Sequence, residues 1–377
     1  MALFSRQSGP IVVYGATGFT GRLVTSELAQ SGADFIVAGR SAEKLDALRR
    51  DFGLEVPARP ASVDDPASLR SLFSDCAVVA NCAGPFIKLG EPVLRAAVET
   101  STHYLDTTGE QPYVRMAFAR YGPGAAQAEV AVVPGMGFDY VPGDMIASLT
   151  AAGMGELDLM DIHYCWQDFV PSRGSALSLL EILAGGGVEW RDQQWQTASR
   201  RLDLGDFDFP EPIGRQRLLR FPVGEQISVP RHVPTRNVTT TLNASLISGD
   251  RLTGLAGPLM TVGGLAMRTP LKRAAAALVS RRPEGPTPEE RDRSRWMIVC
   301  EAKRGEIEQR GVIGGKDVYG FTAAAITKGA VQAARPDFQP RGALAPAQAF
   351  DPKAFLRGFE RFDLSWRLEG APELVAA

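Results

Sequence analysis

Short apolar runs alternate with amphipathic segments over the first 140 residues. Ile11–Tyr14, Asp34–Ala38 and Cys76–Asn81 have the composition of buried strands. Phe19–Gln30 and the segment that follows Ser41 repeat apolar residues at the helical period, and Ser41 is a typical N-cap residue. Strands that alternate with helices predict an α/β fold with a doubly wound parallel sheet covered on both faces.

The same pattern predicts further elements in this first part of the chain. The remaining strands are expected at Leu54–Val56, His103–Asp106 and Glu129–Val133, and the remaining helices at Pro66–Phe73, Pro92–Thr100 and Gln111–Arg120.

The alternation stops after Val133, and the later segments predict a second α+β domain with a largely antiparallel sheet. Its strands are expected at Glu156–Trp166, Leu218–Val229, Asn237–Ile247, Arg295–Ala302, Gly305–Gly311 and Arg361–Leu368. Helices are expected at Arg173–Leu183 and Tyr319–Ala334. We therefore expect a nucleotide-binding domain over residues 1–140, a substrate and dimerisation domain over 141–318, and a C-terminal helix and strand over 319–377 that pack back on both.

One segment of the second domain lacks charge. Leu252–Met267 holds sixteen residues without a charged side chain, and basic residues follow it at Arg268, Lys272, Arg273, Arg281 and Arg282. The first interpretation is a buried or interface helix with a solvated basic end. The second is an apolar patch with a basic rim that docks on a membrane surface or an acidic protein.

Composition excludes several classes of function. The 41 basic and 43 acidic residues nearly cancel, so the basic surplus of a general nucleic-acid binder is missing. The 4 cysteines show no paired short spacing, and with 3 histidines they predict neither a metal site nor a disulfide framework. No apolar stretch reaches the roughly 18–20 residues of a membrane span. We expect a cytoplasmic protein, with peripheral membrane association as the second interpretation above.

A glycine-rich loop follows the first predicted strand and opens the first predicted helix. Gly15 suits the tight turn, Gly18 lets the backbone approach a pyrophosphate, and Gly21 permits close packing of helix on strand. Thr17, Phe19 and Thr20 lie between these glycines at the N-terminus of the predicted helix and are also predicted to contact the cofactor. The free N–H groups at a helix N-terminus favour the binding of an anion. In this context the loop predicts a Rossmann-type dinucleotide site.

The end of the second strand distinguishes the two nicotinamide dinucleotides. NAD sites place an acid there for the ribose 2′-hydroxyl. Here Arg40 and Ser41 occupy the position, and a guanidinium can form two bonds to a 2′-phosphate. The cofactor is therefore predicted to be NADP(H).

Further loops lie at the carboxyl ends of the predicted strands, where open α/β sheets bind ligands. Asp64 follows the third strand and Gly137 follows the sixth. The loop of the fourth strand contains Asn81, Ala83, Gly84, Pro85 and Phe86. All of these residues are predicted to contact the cofactor. The loop after the sixth strand also opens the second domain, which would place it at a cleft between domains.

These motifs together resemble the saccharopine dehydrogenase-like oxidoreductases. The resemblance is carried by Gly15–Arg22, Ala38–Ser41, Asn81–Phe86, Tyr104–Glu110 and Gly135–Asp144. It implies a Rossmann domain, a mixed α/β second domain and a nicotinamide held between them. The group includes saccharopine dehydrogenases and reductases of lysine metabolism, broad animal oxidoreductases and bacterial trans-acting enoyl reductases that serve polyketide lipids. The GFD-x-x-P-x-D pattern at Gly137–Asp144 resembles the enoyl-reductase and general oxidoreductase branch more closely.

Known catalytic pairs are missing from the sequence. No tyrosine is followed four residues later by lysine, and no Gly-x-Ser-x-Gly elbow occurs. Hydride transfer to a double bond still needs a proton source. The candidates are Asp139, Tyr140, His163 and Tyr164, which lie on or just beyond the predicted domain junction.

Three functions stay open at this point. The first is an NADPH-dependent reductase of an enoyl group on an apolar or carrier-bound acyl or polyketide substrate. The second is an NADP-dependent C–N oxidoreductase, either an imine reductase or an amino-acid dehydrogenase. The third is a non-catalytic NADP-binding or membrane-associated scaffold. Residues 251–310 carry 12 basic against 7 acidic residues, which suits an acidic acyl carrier protein, and a homodimer interface would explain that segment equally well.

Overall fold

The apolar runs and amphipathic segments form strands and helices in a computed structural model that describes residues 9–185, 187–198 and 203–370. The strands are β1 Ile11–Tyr14, β2 Phe35–Gly39, β3 Ala58–Pro60, β4 Val78–Asn81, β5 His103–Asp106, β6 Ala131–Val133, β7 Leu159–Gln167, β8 Val188–Arg191, β9 Gln194–Thr197, β10 Asp203–Phe209, β11 Gly214–Arg220, β12 Val238–Asn243, β13 Arg295–Arg304, β14 Ile307–Lys316, β15 Gly342–Ala343 and β16 Ser365–Glu369.

The α-helices lie between these strands and after them. They are α1 Phe19–Ser31, α2 Ala42–Phe52, α3 Pro66–Phe73, α4 Phe86–Glu99, α5 Gln111–Met116, α6 Gly122–Gln127, α7 Val141–Thr150, α8 Arg173–Gly185, α9 Glu225–Ser228, α10 Ser245–Ser248, α11 Ala256–Ala266, α12 Leu271–Val279, α13 Pro288–Arg293, α14 Val318–Ala333, α15 Pro346–Ala349 and α16 Pro352–Leu356.

The chain divides into two units. The first contains the residues up to Asp139 together with Tyr319–Phe350, and the second contains Tyr140–Val318 together with the residues from Asp351 onward. The last part of the chain therefore contributes to both units, and the first unit takes in α14, β15 and α15.

The first unit is built on a seven-stranded sheet in the order β15-β6-β5-β4-β1-β2-β3, and all of its pairings are parallel. The central strands β1 and β4 are buried along their whole length, which explains their continuous apolar sequences. The strand order reverses between β1 and β4, so their carboxyl ends flank the crevice where such sheets bind ligands. The predicted parallel sheet is confirmed.

Two elements of the first unit differ from the sequence-based expectation. The third strand is Ala58–Pro60, so the strand predicted at Leu54–Val56 was wrong. Leu54 instead closes the end of α2, because its N–H donates to the Arg49 carbonyl at 2.9 Å after the left-handed Gly53. The fourth helix begins at Phe86 and runs through Pro92, so the expected start at Pro92 is six residues late.

The second unit contains a nine-stranded sheet whose main path is β10-β11-β12-β7-β13-β14-β16, with β8 and β9 beside β12. Only β12 and β7 pair in parallel among these described strands, so the predicted largely antiparallel sheet is confirmed. The hairpin of β13 and β14 supports α7, and a Cβ on Gly311 would overlap the Thr150 hydroxyl of that helix. Glycine at this position allows the close approach.

The segment Leu218–Val229 does not form the single strand that its apolar content predicts. Strand β11 ends at Arg220, and Glu225–Ser228 form the short helix α9. Pro222 lacks the N–H that a ladder would need, and the chain turns there so that Glu225 becomes buried.

The uncharged segment Leu252–Met267 contains the whole of α11, and its large side chains are exposed. Leu259 and Val262 are 51% and 66% exposed, so burial inside the chain is excluded for this face. In the described part of the chain, no helix combines the length and apolar character needed to cross a bilayer.

Candidate functional site

The loops after β1 and β4 meet at the point where the strand order reverses. Gly15 has a φ of 80°, and its N–H donates to the Ala38 carbonyl at 2.9 Å, which turns the chain sharply after β1. A Cβ on Gly15 would lie 2.9 Å from the backbone nitrogen of Ala83 in the β4 loop. Only glycine fits there, because both the backbone conformation and the space exclude a side chain.

The start of α1 has the features of an anion site. A Cβ on Gly21 would overlap the carbonyl oxygen of Gly15, so glycine lets the helix pack directly on the turn. Gly18 precedes the helix, and no side chain caps the first turn. The partly exposed Thr17 and Thr20 flank it, and Phe19 packs edge-on against Tyr319 with ring centroids 5.2 Å apart. The N–H groups of the first turn are therefore available to a phosphate.

Arg40 and Ser41 lie at the end of β2. Arg40 is exposed and has no ion pair among the described residues, while the Ser41 hydroxyl accepts from the Lys44 N–H at 3.3 Å and caps α2. The exposed Asp64 follows β3 and acts with Arg40 on the same group. Burial and the charge of Asp64 raise the pKa of Tyr14 to about 12, and the charge of Arg40 opposes this rise. One acid and one guanidinium therefore share this end of the sheet.

Asn81 is fully buried at the end of β4. Its Nδ2 donates to the Tyr104 hydroxyl at 2.9 Å, and its Oδ1 accepts from the Ala83 N–H at 3.0 Å. These bonds fix the loop that continues through the exposed Gly84 and through Pro85 to Phe86, whose ring packs on Tyr113 at 5.7 Å. The buried Asn81 side chain therefore fixes the start of this loop.

Asp106 joins the loops after β5 and β6. Its buried carboxylate accepts N–H groups from Thr108 and Gly135, each at 3.0 Å. Burial raises the pKa of Asp106 to about 6, while the backbone hydrogen bonds favour its charged form.

Glu110 caps the helix that starts in the neighbouring loop. Its buried carboxylate accepts from the N–H groups of Phe86 at 2.9 Å and Ile87 at 2.8 Å, the first residues of α4. Sequence reasoning missed Asp106 and Glu110 as organising residues. The available signal was the run Asp106–Glu110, which places two acids directly at the end of the fifth predicted strand.

Asp139 lies beside these carboxylates at the end of the β6 loop. Gly137 is buried against Thr322, whose hydroxyl accepts from the Phe138 N–H at 3.0 Å, and this bond fixes the loop. Asp139 stays partly exposed, and a Cβ on Gly109 would lie 2.9 Å from its Oδ2. Burial, together with the charge of Glu110, raises the pKa of Asp139 to about 6. This side chain can therefore exchange a proton near neutral pH.

Two tyrosines of the predicted catalytic set lie in the second unit. The Tyr164 hydroxyl donates to Glu225 Oε1, and both side chains are buried. The ring of Tyr140 is packed so tightly that a Cβ on Gly224 would overlap it. Because Gly224 precedes Glu225 in the chain, the two tyrosines share one buried environment.

His163 does not share that environment. It neighbours Tyr164 on β7, and successive side chains of a strand point to opposite faces. Its Nδ1 lies 2.9 Å from the Thr241 hydroxyl, and its ring packs on Phe207 with centroids 4.2 Å apart. Burial and the charges of Lys303 and Arg310 lower the pKa of His163 to about 3, so the imidazole stays neutral.

His163 also lies in a cluster with two carboxylates. Ligand atoms of Asp161, His163 and Glu301 lie within 4.8 Å of one another. Lys303 and Arg310 approach Glu301 at 3.5 Å and 3.8 Å, so cationic side chains already balance the acids. These cations oppose the binding of a metal ion.

Comparison with known proteins shows what this arrangement is similar to. Residues 11–133 match the family model described as the saccharopine dehydrogenase NADP binding domain. The saccharopine dehydrogenase-like oxidoreductase of Mus musculus is 35% identical over 152 residues, covering 36% of this chain and 35% of that protein. A putative trans-acting enoyl reductase of Mycobacterium tuberculosis is 33% identical over 184 residues, covering 46% of this chain and 44% of that protein. The matches thus span less than half the length of these relatives.

One solved structure matches nearly the whole chain in fold. Saccharopine dehydrogenase (L-Glu forming) of Saccharomyces cerevisiae aligns over 97% of this chain and 100% of its own, with a TM-score of 0.60 at 14% identity. The resemblance seen in the motifs and the predicted NADP(H)-binding domain are both confirmed. Residues 11–133 are thus similar to the saccharopine dehydrogenase NADP binding domain, and the two-sheet architecture is the saccharopine dehydrogenase fold.

Proposed function

We propose that this protein is an NADP-dependent oxidoreductase that reduces a polarised double bond. The substrate class that we propose is an enoyl group on an apolar or carrier-bound acyl chain. The observation that carries the proposal is the position of Asp139: a partly exposed carboxyl group with a pKa of about 6 at the carboxyl edge of the nucleotide-binding sheet.

The residues of the first unit fit NADP(H). The cradle of Gly15, Gly18 and Gly21 would hold the diphosphate at the N-terminus of α1, because Gly15 turns the chain sharply after β1 and Gly21 lets the helix pack directly on that turn. Arg40 and Ser41 would bind the 2′-phosphate, to which an acid would be repulsive. The bound cofactor supplies the hydride in the reaction.

Asp139 is the proposed proton donor. The Tyr164 hydroxyl is engaged with a buried carboxylate, Tyr140 is sealed by packing, and His163 stays neutral. Asp139 is partly exposed, and the described structure gives it no hydrogen bond or ion pair. Hydride addition at the β-carbon of an enoyl group leaves negative charge that a proton must quench at the α-carbon. A carboxylic acid with a pKa near the working pH suits that transfer.

The relatives and the charges of the second unit support the enoyl substrate. One relative carries the name trans-acting enoyl reductase. A C–N oxidoreductase of amino acids would need cations that are free to bind carboxylates. In the described part of the second unit, the half-buried Arg220, Arg291 and Arg310 each face an acid, namely Glu189, Asp317 and Glu301.

Replacing Arg40 by alanine is expected to remove the preference for NADPH over NADH. The wild type should bind NADPH more tightly than NADH. In the variant the ratio of the two dissociation constants should fall about 10- to 100-fold, since a hydrogen bond to a charged group contributes about 1.5–3 kcal/mol. Titration of both cofactors measures it. Arg50→Ala, an exposed arginine at the far end of α2, is the matched control and should keep the preference. Equal affinity of the wild type for the two cofactors would contradict the assignment.

Replacing Asp139 by asparagine is expected to lower kcat for reduction by about 10²–10⁴-fold while NADPH affinity stays the same. The neutral acid donates the proton, so the wild-type rate should fall as the pH rises through and above about 6, and the variant should lose this dependence. Steady-state rates between pH 5 and pH 9 measure it, with the exposed Asp46→Asn as control. An unchanged pH profile in Asp139→Asn would rule out this donor.

NADPH oxidation against three substrate sets tests the reaction class. We expect turnover of crotonyl-type thioesters and none of cyclic imines or of 2-oxo acids supplied with amines. Turnover of the imine or amine set alone would replace the enoyl proposal with C–N chemistry. No turnover of any set by a protein that binds NADPH would favour the non-catalytic alternative.

A further inference from the structure

Helices α11 and α12 of the second unit present an apolar surface to solvent. Seven large aliphatic side chains between residues 252 and 278 are 51–68% exposed, which is most of the exposed large apolar side chains in the described chain. This aliphatic surface consists of Leu252, Leu255, Leu259, Val262, Leu265, Leu271 and Leu278. A surface that exposes this many large aliphatic side chains marks an interaction site.

The orientation of the two helices causes this exposure. Ala256 and Gly257 on the opposite side of α11 are buried, and Gly264 packs so that a Cβ would lie 3.4 Å from the Leu183 carbonyl oxygen of α8. On α12, Lys272 forms an ion pair with Glu181 of α8 at 2.5 Å. The small and polar residues therefore face the protein, and the leucines face away from it.

The hydroxyl groups on the helix pair are bonded internally. Thr261 donates to the Gly257 carbonyl at 3.0 Å, Thr269 to Ala266 at 2.7 Å and Ser280 to Ala276 at 2.8 Å. Transfer of a polar group from water to an apolar medium costs little free energy when the group already has a hydrogen-bond partner. The helix pair can leave water without unpaired hydroxyls.

The charges beside the aliphatic surface have one sign. No acidic residue occurs between Asp250 and Glu284. Arg268, Arg273, Arg281 and Arg282 are exposed, and none of them has an ion pair among the described residues. The aliphatic surface is thus bordered by uncompensated positive charge.

We propose that the aliphatic surface docks on an anionic lipid bilayer. The leucines would enter the boundary between headgroups and acyl chains, and the arginines would contact lipid phosphates. The surface of α11 is about 16 Å long at 1.5 Å per residue, which suits a helix lying in the plane of the interface. This inference is independent of the proposed reaction.

Two features favour a bilayer over a protein. A second copy that paired through this surface would add four uncompensated arginines of its own, and the repulsion between the like-charged copies would oppose association. The surface also lacks the aromatic residues that dominate protein interfaces and offers no unengaged hydroxyl on α11 or α12 to orient a partner. Bilayer binding needs only apolar area and positive charge.

Flotation of the full-length protein with vesicles tests the proposal. The wild type should float with phosphatidylcholine vesicles that contain about 30% phosphatidylglycerol and should stay behind with vesicles of phosphatidylcholine alone. Binding should weaken in roughly 0.5 M NaCl, where surface charges are screened.

Paired variants separate the two contributions. Leu259→Ser with Val262→Ser should lower binding at least about tenfold, because two aliphatic side chains no longer enter the bilayer. Arg268→Gln with Arg273→Gln should lower it about 30-fold at low salt, at about 1 kcal/mol for each charge. Ile307→Ser with Phe52→Ser and Arg50→Gln with Arg335→Gln are the matched controls at exposed sites elsewhere, and both should bind as the wild type does.

Thermal unfolding and NADPH binding must be unchanged in the variants, which separates lost docking from lost folding. The proposal is overturned if the wild type fails to float with anionic vesicles, or if the serine variant floats as well as the wild type. It is also overturned if the protein is a dimer that the serine variant dissociates, or if an acidic carrier protein binds the surface while vesicles do not.

Discussion

Two buried carboxylates hold the carboxyl edge of the first sheet in one shape. Asp106 binds backbone N–H groups of the β5 and β6 loops, and Glu110 binds those at the start of α4 in the β4 loop. Buried charges are costly unless hydrogen bonds satisfy them, so each carboxylate favours the loop conformation that supplies its donors. Three loops are therefore tied together by two residues four positions apart.

This constraint positions the groups that we assign to catalysis and cofactor binding. Asn81 binds the backbone of Ala83 in the β4 loop. Ala83 in turn packs against Gly15, where the phosphate cradle begins. On the other side, Glu110 contributes to the raised pKa of Asp139. The same set of buried polar groups thus sets both the shape of the cradle and the acidity of the proposed proton donor, which is how preorganised sites avoid reorganisation during reaction.

Local patterns in the sequence predicted much of this arrangement. The buried parallel strands have continuous apolar sequences, Gly15 is favoured by its local φ of 80°, and Gly21 is required by its contact with the carbonyl oxygen of Gly15. The start of α4 was misplaced because its cap, Glu110, lies 24 residues later in the chain. The exposure of α11 depends on its packing against α8, which lies far away in the chain. Long-range contacts decided each case, and periodicity does not encode them.

Hydrogen–deuterium exchange of the full chain with and without NADP⁺ tests the central claim most directly. If the carboxyl edge of the first sheet holds the cofactor as proposed, NADP⁺ should slow exchange at Gly15–Arg22, at Arg40–Lys44 and at Cys82–Phe86, the three loops that converge there. The hairpin turn between β13 and β14, which belongs to the second unit, should be unaffected. Protection confined to other parts of the chain, with unchanged exchange at Gly15–Arg22, would contradict the account.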